Sequence, residues 1–503
     1  ADTLRIERVL EGFDGRVVGL NFTPDGKTLL ALGDNGAMRL WDAESGKLRA
    51  TMVEFEDGEW MTITPEGYFM GSPDADRKLS VRHGDRVYGM DQFHDVFYRP
   101  DIVRRKLAGE NIDDLIRVTL DEALRRPPPR VTVSAQPGAD GRVRLRLDAS
   151  DEGGGIGALR VYHNGKLIAA DAVQAVTARR KPPAPVRQNA AAVRQLLVRG
   201  ARRAPAPLPL RDRLRDVEVL LAPGENRVWV TGFNADGTLG ARPVTLELPR
   251  QPEALARVFV LALGVDRYRK AKDIPTLRYA AKDAKAFSSE MRSRLAKAFP
   301  GQAVDLRVLT DAAATLPAVE RELDRLRREM RPGDVFVWFI ASHGMLDDDS
   351  GYNVVLHDAD LDRPGRGMLP ASQLVEWLKR LPALDQLVVI DTCHAGGLDG
   401  TVRGLYDARF AVLARSMGLH VLASASATEE AIDGYKGSGL FTHAMLQAMD
   451  DPASDDNRDR RLSATELGRY ARDLTQRIAR RMRFSQTPLS FHFGRDLVIA
   501  TFP

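Results

Sequence analysis

From about Ala256 onward, apolar residues come in two alternating kinds of run. RVFVLALGV, VDLRVLT, DVFVWFIASHG, QLVVIDTCH and GLHVLASAS are short, nearly continuous apolar stretches of strand length. Between or after them, YAAKDAKAFSSEMRSRLAKAF, LPAVERELDRLRREM, LPASQLVEWLKRL and LSATELGRYARDLTQRIARRM repeat apolar positions at helical spacing. Strands that are apolar at nearly every position are buried on both faces. The pattern therefore predicts an α/β domain over 256–503 with a mainly parallel sheet covered by helices on both sides. The chain before it has a different rhythm. Short runs alternate apolar and polar residues and are broken by turns such as Pro24-Asp25-Gly26, Asp34-Asn35-Gly36 and Asn164-Gly165, which predicts all-β segments.

Those segments divide further. In 1–90, alternating strands lead to Trp41-Asp42, and a weaker echo follows over Glu59–Gly84. This resembles one blade and a half of a WD-repeat propeller, too little to close a ring. Residues 91–127 read as a helical linker ending in the proline-rich ALRRPPPRV. Residues 128–250 carry about seven strand patterns and resemble an immunoglobulin-like sandwich, without that family's cysteine core. An insertion over 178–216 interrupts the sandwich. It holds eleven Arg and Lys and is rich in Pro and Ala, so it is expected to be exposed and to form at most a short helix at Ala190–Arg199.

Composition narrows the class. With 44% hydrophobic and 28% charged residues among 503, the chain is expected to be a soluble multidomain protein. A net charge of +4 is too small for a polycation, so nucleic acid is not an expected partner. No apolar run reaches the length of a membrane span. A single cysteine permits no internal disulfide, so a cytoplasmic location is expected over export. The chain opens ADTLR without Met, so a removed leader or preceding chain, such as further blades, is expected.

That one cysteine, Cys393, follows the strand LVVI in DTCHAGG, and another strand runs into Ser342-His343-Gly344. In open α/β sheets, ligands bind at the carboxyl ends of the strands. If the two strands are neighbours, His343 and Cys393 meet at one edge. An imidazole there can take the thiol's proton, and the backbone amides of Gly344 and Cys393 can serve an oxyanion. No HExxH or CxxC spacing points to a metal.

The histidine precedes the cysteine by about 50 residues, the caspase spacing. LGVDRY, LRYAAKDAKAF, ASHG, DTCHAGG, LASASATEEA and GLFTHAML follow in order, and together they resemble the caspase-like cysteine peptidases, metacaspases and bacterial relatives included. The resemblance implies peptide hydrolysis with Cys393 as nucleophile and His343 as base. It leaves His394 outside the dyad. It also implies that Asp391, two residues before the cysteine, and Asp283, in the first helix, line a pocket for a substrate Arg or Lys. Arg278 stands near where caspases hold a substrate aspartate, so cleavage after Asp is the alternative, as is an inactive scaffold. Metacaspases often use calcium. The acidic stretches Leu346–Gly351 and Asp450–Asp459 are the candidates, and no other cofactor is expected. The expected partners are a protein substrate and a regulatory protein bound by the β modules. The basic insertion is a candidate for autoprocessing.

Overall fold

The computed structural model describes residues 9–10, 13, 15–56, 58–72, 75–170, 216–250, 256–270, 274–347, 351–363, 365–394, 419–425, 429–493 and 495–502, without the side chains of 346, 347, 393 and 394. The basic stretch 178–215, with the short helix expected inside it, lies outside the described residues.

Six antiparallel strands, from Val17–Phe22 to Phe69–Gly71, form one meandering sheet. Its last strands pack with short helices around Tyr68, Phe69, Phe93, Phe97 and Ile102. Two further sheets face each other. One holds Arg130–Pro137, Arg142–Ser150 and Asp216–Leu220. The other holds Leu159–His163, Lys166–Ala170, Arg227–Gly232 and Val244–Glu247. The alternation RVRLRL explains the first sheet: Val143, Leu145 and Leu147 enter the shared core while the arginines between them stay outside. Leu239 from this two-sheet sandwich is buried in the preceding module's core. Gln92 binds Gly240 through both backbone and side chain, so the two β modules are in direct contact.

The C-terminal domain, whose elements are numbered here, is built on one eight-stranded sheet. The order is β2 (Val304–Thr310), β1 (Val258–Gly264), β3 (Val335–Asp347), β6 (Asp385–His394), β7 (His420–Ala423) and β8 (Leu489–His492). β4 (Gly351–Val355) and β5 (Met368–Pro370) branch from β3. The ladder is parallel from β2 to β7, and β8 closes it antiparallel. Period-2 alternation sends Phe259, Leu261, Phe336, Trp338, Val388 and Ile390 to one face and Val258, Val260, Val337, Phe339, Leu387 and Val389 to the other. Each such side chain contributes about 1.5–3 kcal/mol on full burial, so both faces must be covered. Helices α2 (Leu316–Glu329) and α3 (Ala371–Arg380) cover the first face. Helices α1 (Ala280–Ala298), α4 (Leu440–Asp450) and α5 (Ala464–Arg481) cover the second. At Gly264 the start of α1 comes so close that a Cβ would lie 2.4 Å from the Ala280 carbonyl. That close approach holds the first turn of α1 over the sheet's carboxyl edge.

Candidate active site

The decisive geometry is a register. β3 and β6 are adjacent and parallel, and the pairing runs Ala341 with Asp391, Ser342 with Thr392, His343 with Cys393 and Gly344 with His394. Neighbouring strands lie about 4.8 Å apart, so the backbones of His343 and Cys393 stand side by side at the carboxyl edge. One detail differs from the expectation that these residues lie beyond the strand ends. Both remain within the ladder, because β3 continues past Gly344 into a hairpin with β4. The Cys393 side chain is outside the described set.

His343 is held from several sides. Its Nε2–H donates to the Pro275 carbonyl at 2.8 Å, which fixes the tautomer and leaves the Nδ1 lone pair free to accept a proton. Nδ1 is buried and has no hydrogen-bond partner among the described residues. Tyr268 stacks on the imidazole at 5.5 Å, and its hydroxyl accepts the His343 backbone N–H at 3.1 Å. Burial pushes the imidazole pKa below its ordinary value, against the opposing pull of the Pro275 carbonyl and the Asp433 charge. The ring is thus neutral near pH 7, as a base must be.

Beside the pair stand the two carboxylates expected to line the specificity pocket, Asp283 and Asp391. Asp283, in the first turn of α1, is only 2% exposed. Its Oδ2 accepts the Gly439 N–H at 2.7 Å, while Oδ1 is buried and has no partner among the described residues. Asp391 comes in from β6, and its Oδ2 accepts the Thr442 hydroxyl at 2.6 Å. A Cβ on Gly439 would sit 3.0 Å from Asp283 Oδ2 and 3.3 Å from Asp391 Oδ2, so one small residue separates the two carboxylates. Burial first, and then the Asp391 charge, push Asp283 up to about 8, against the Gly439 N–H. Burial also raises Asp391, against the hydrogen bonds of Thr442 and Ser424. Asp283 is buried and Asp391 half-buried, and Lys282 opposes the rise at Asp283 only as the last of its causes, so the pair is weakly compensated among the described residues.

Residues 257–492 match the family model described as the caspase domain. The chain carries a caspase domain. Among solved structures this chain is similar to caspase-1 of Spodoptera frugiperda, with 11% identity over 51% of this chain and 97% of that one and a TM-score of 0.36. It is also similar to protein GSU0716 of Geobacter sulfurreducens, with 17% identity over 48% and 94% and a TM-score of 0.33. No curated protein matches the chain. The caspase-domain match begins at 257, so the WD-repeat-like and immunoglobulin-like segments rest on their sequence patterns alone. The family is one of cysteine peptidases, and a peptidase domain implies a protein substrate. No described helix is long and apolar enough to cross a membrane.

Within the caspase domain, sequence reasoning missed four contributors. Tyr268 and the Pro275 carbonyl seat the histidine. Thr442 binds Asp391, and the charge of Asp433 acts on both carboxylates. The Asp433 Oδ2 accepts the Arg278 N–H at 2.9 Å, and its carbonyl accepts the Arg278 guanidinium at 3.0 Å. Arg278 is therefore tied to the Asp433 loop and lies against the Tyr279 ring. Tyr268 and Thr442 fall inside the matching segments LGVDRY and GLFTHAML, the only signal that could have found them.

The calcium expectation concerns two acidic stretches. The stretch 346–351 lies partly outside the described residues. In the other stretch, Asp455, Asn457, Asp459, Ser463 and Glu466 fall at positions 1, 3, 5, 9 and 12 of an EF-hand-type loop, with Arg460 at the glycine position and at φ 63. The donors suit calcium in kind and spacing. As folded, however, they accept the loop's own N–H groups, as when Asp455 bonds Asp459 and Arg460 and Glu466 bonds Asp456 and Ser463. Among the described residues no three His, Cys, Asp or Glu side chains are grouped to hold a metal ion.

Proposed function

We propose that the caspase domain is an active cysteine endopeptidase that cleaves after Arg or Lys. The observation that carries this reading is the side-by-side register of His343 and Cys393 on neighbouring parallel strands. The His343 Nδ1 takes the Cys393 thiol proton, and the thiolate attacks the carbonyl carbon of the scissile bond. The backbone amides of Gly344 and Cys393 stabilise the oxyanion. The imidazolium then returns its proton to the leaving amine as the C–N bond breaks. Water, deprotonated by the same imidazole, hydrolyses the thioester.

Specificity follows from the pocket. A guanidinium or ammonium supplies the donor that Asp283 Oδ1 lacks among the described residues, and adds positive charge where Lys282 compensates the two carboxylates only weakly. Arg278 does not compete for that place, because the Asp433 loop occupies its guanidinium. A matched panel of arginyl, lysyl and aspartyl fluorogenic peptides tests this. Turnover of the arginyl peptide, lost in Cys393→Ala, supports the reading. Turnover of only the aspartyl peptide overturns the specificity, and no turnover together with no labelling by a peptidyl chloromethylketone overturns the activity.

The chain's own 178–216 segment, with eleven Arg and Lys, is proposed as a processing substrate. Identical intact masses of wild type and Cys393→Ala would remove that step. The β modules are proposed to hold a regulatory protein.

A further inference from the structure

The amino ends of β3 and β6 meet the sandwich. Lys166 opens the strand Lys166–Ala170 and is only 3% exposed. Its ammonium donates to the carbonyls of Leu381 and Ala383, the latter at 2.9 Å, in the turn between α3 and β6. The Ala383 carbonyl also accepts from the buried Gln386 side chain at 2.7 Å, and the Leu384 N–H reaches the Pro332 carbonyl at 3.1 Å. Pro223 of the sandwich lies so close to Gly333 that a Cβ there would sit 2.5 Å away. The sandwich therefore rests on the two turns that feed β3 and β6, one residue after another: 332–334 before Val335 and 381–384 before Asp385.

We propose that the sandwich is a docked regulator of the caspase domain, seated on the amino-end turns of the two strands that carry His343 and Cys393, with Lys166 as the positioning residue of that seat. This rests on the reading of His343 and Cys393 as the reacting pair. β6 is paired with β3 along its whole length, from Asp385 to His394, so its root is coupled to its tip. A ligand or partner that lifts the sandwich withdraws the ammonium from two carbonyls and loosens the turn from which β6 starts. The output of the site then depends on what the β modules hold.

The seat is also linked to protons. Burial pushes Lys166 down to about 7, from 10.5 when released. Between those values the released state binds a proton that the seated state lacks. Seating therefore strengthens as pH rises from about 7 and weakens as it falls. The other ionisable groups around the seam are His163 on the same hairpin, Asp385 with Arg495, Asp334 with Arg257, and Lys379 and Arg380 at the end of α3.

The test uses the full chain and Lys166→Met, which keeps length and removes the donors. Hydrogen exchange at 378–387, corrected for intrinsic rates, is measured from pH 7 to 9, alongside the rate of Cys393 alkylation by iodoacetamide and kcat/KM on an arginyl peptide. The expected result is exchange that slows with rising pH in wild type, a flat and faster profile in the variant, and alkylation and kcat/KM lowered about tenfold. A flat wild-type profile, or a variant that keeps the slope, overturns the role of Lys166. Faster exchange with unchanged alkylation overturns the reach to the site. If wild type cleaves no arginyl peptide but exchange and alkylation behave as expected, the seat stands and only the peptidase reading falls. Should the Met variant not fold, the wild-type profile decides alone.

Discussion

The two ends of β3 and β6 each bury an ionisable group, and the two are satisfied in opposite ways. At the amino end, the Lys166 ammonium faces two carbonyl oxygens. At the carboxyl end, Asp283 has one N–H for two oxygens and a second carboxylate for a neighbour. A buried polar atom without a partner costs about 1–3 kcal/mol, more when charged. The seat of Lys166 is complete within the chain, whereas Asp283 keeps one buried oxygen without a partner among the described residues. On the proposed reading of the site, a cationic guest fills that gap, and the difference is the one expected between a structural contact and a binding site.

The largest expected effect is at the reacting pair. Cys393→Ala and His343→Ala should each lower kcat on the arginyl peptide by three orders of magnitude or more, read in a fluorogenic assay. If either variant retains a tenth of wild-type turnover, the pairing in register has no chemical meaning and the comparison loses its catalytic end.

Asp283→Asn comes next. Removing one partner of a buried charge pair should cost about 10²-fold in kcat/KM on arginyl substrate. Stability should move the other way. The raised pKa means that the folded state resists ionisation, so the stability lost by wild type grows as pH climbs from about 4 to about 8. The Asn variant should therefore melt several degrees above wild type at pH 8.5, with the gap closing toward pH 4, read by scanning calorimetry. Equal melting temperatures at both pH values would place Asp283 in water and end the contrast with Lys166.

The pH profile sharpens the same point. Arginyl substrate must displace a proton from the pocket, so kcat/KM should rise through about 8. In Asp283→Asn that limb should vanish and expose the limb of His343. This limb lies below the ordinary imidazole range because burial disfavours its charged form. A limb that stays near 8 in the variant would assign it to another group.

How far these two ends could be read in advance differs for a physical reason. The carboxyl end was legible where chemistry is carried by residue type in a strand context: one cysteine after LVVI, one histidine after a second apolar strand. The parallel sheet itself followed from strands apolar on both faces. The place of Asp283 beside Asp391 was legible only through the family resemblance, since a first-turn acid of an amphipathic helix otherwise reads as a solvated charge. Its raised pKa depends on Gly439 and Asp391, which come near only when α1 and α4 pack on the sheet. The amino end was silent, because Lys166 follows an Asn-Gly turn like many exposed lysines and its acceptors are backbone carbonyls, which no residue type announces. The propeller-like and immunoglobulin-like resemblances remain patterns of turns and alternation, with strands beneath them but no family match.

The smallest effect concerns Asp433, and it divides charge from hydrogen bonding within the pocket. Its charge raises Asp283, Asp391 and His343 together, while its side chain holds the Arg278 backbone N–H. Asp433→Asn keeps an acceptor oxygen and loses the charge. The limb near 8 should then move toward lower pH, and arginyl kcat/KM at pH 7 should change only a few-fold, because less proton competition offsets weaker attraction for the guest. Asp433→Ala loses the hydrogen bond as well, and with it the tie between the Arg278 backbone and the loop that leads to Gly439. Its KM should rise well beyond that of the Asn variant with little change in kcat, since the pocket is displaced while the reacting pair is not. Equal KM values for the two variants would mean that only the field of Asp433 matters. Unchanged profiles in both would leave Asp283 and Asp391 as the whole of the pocket.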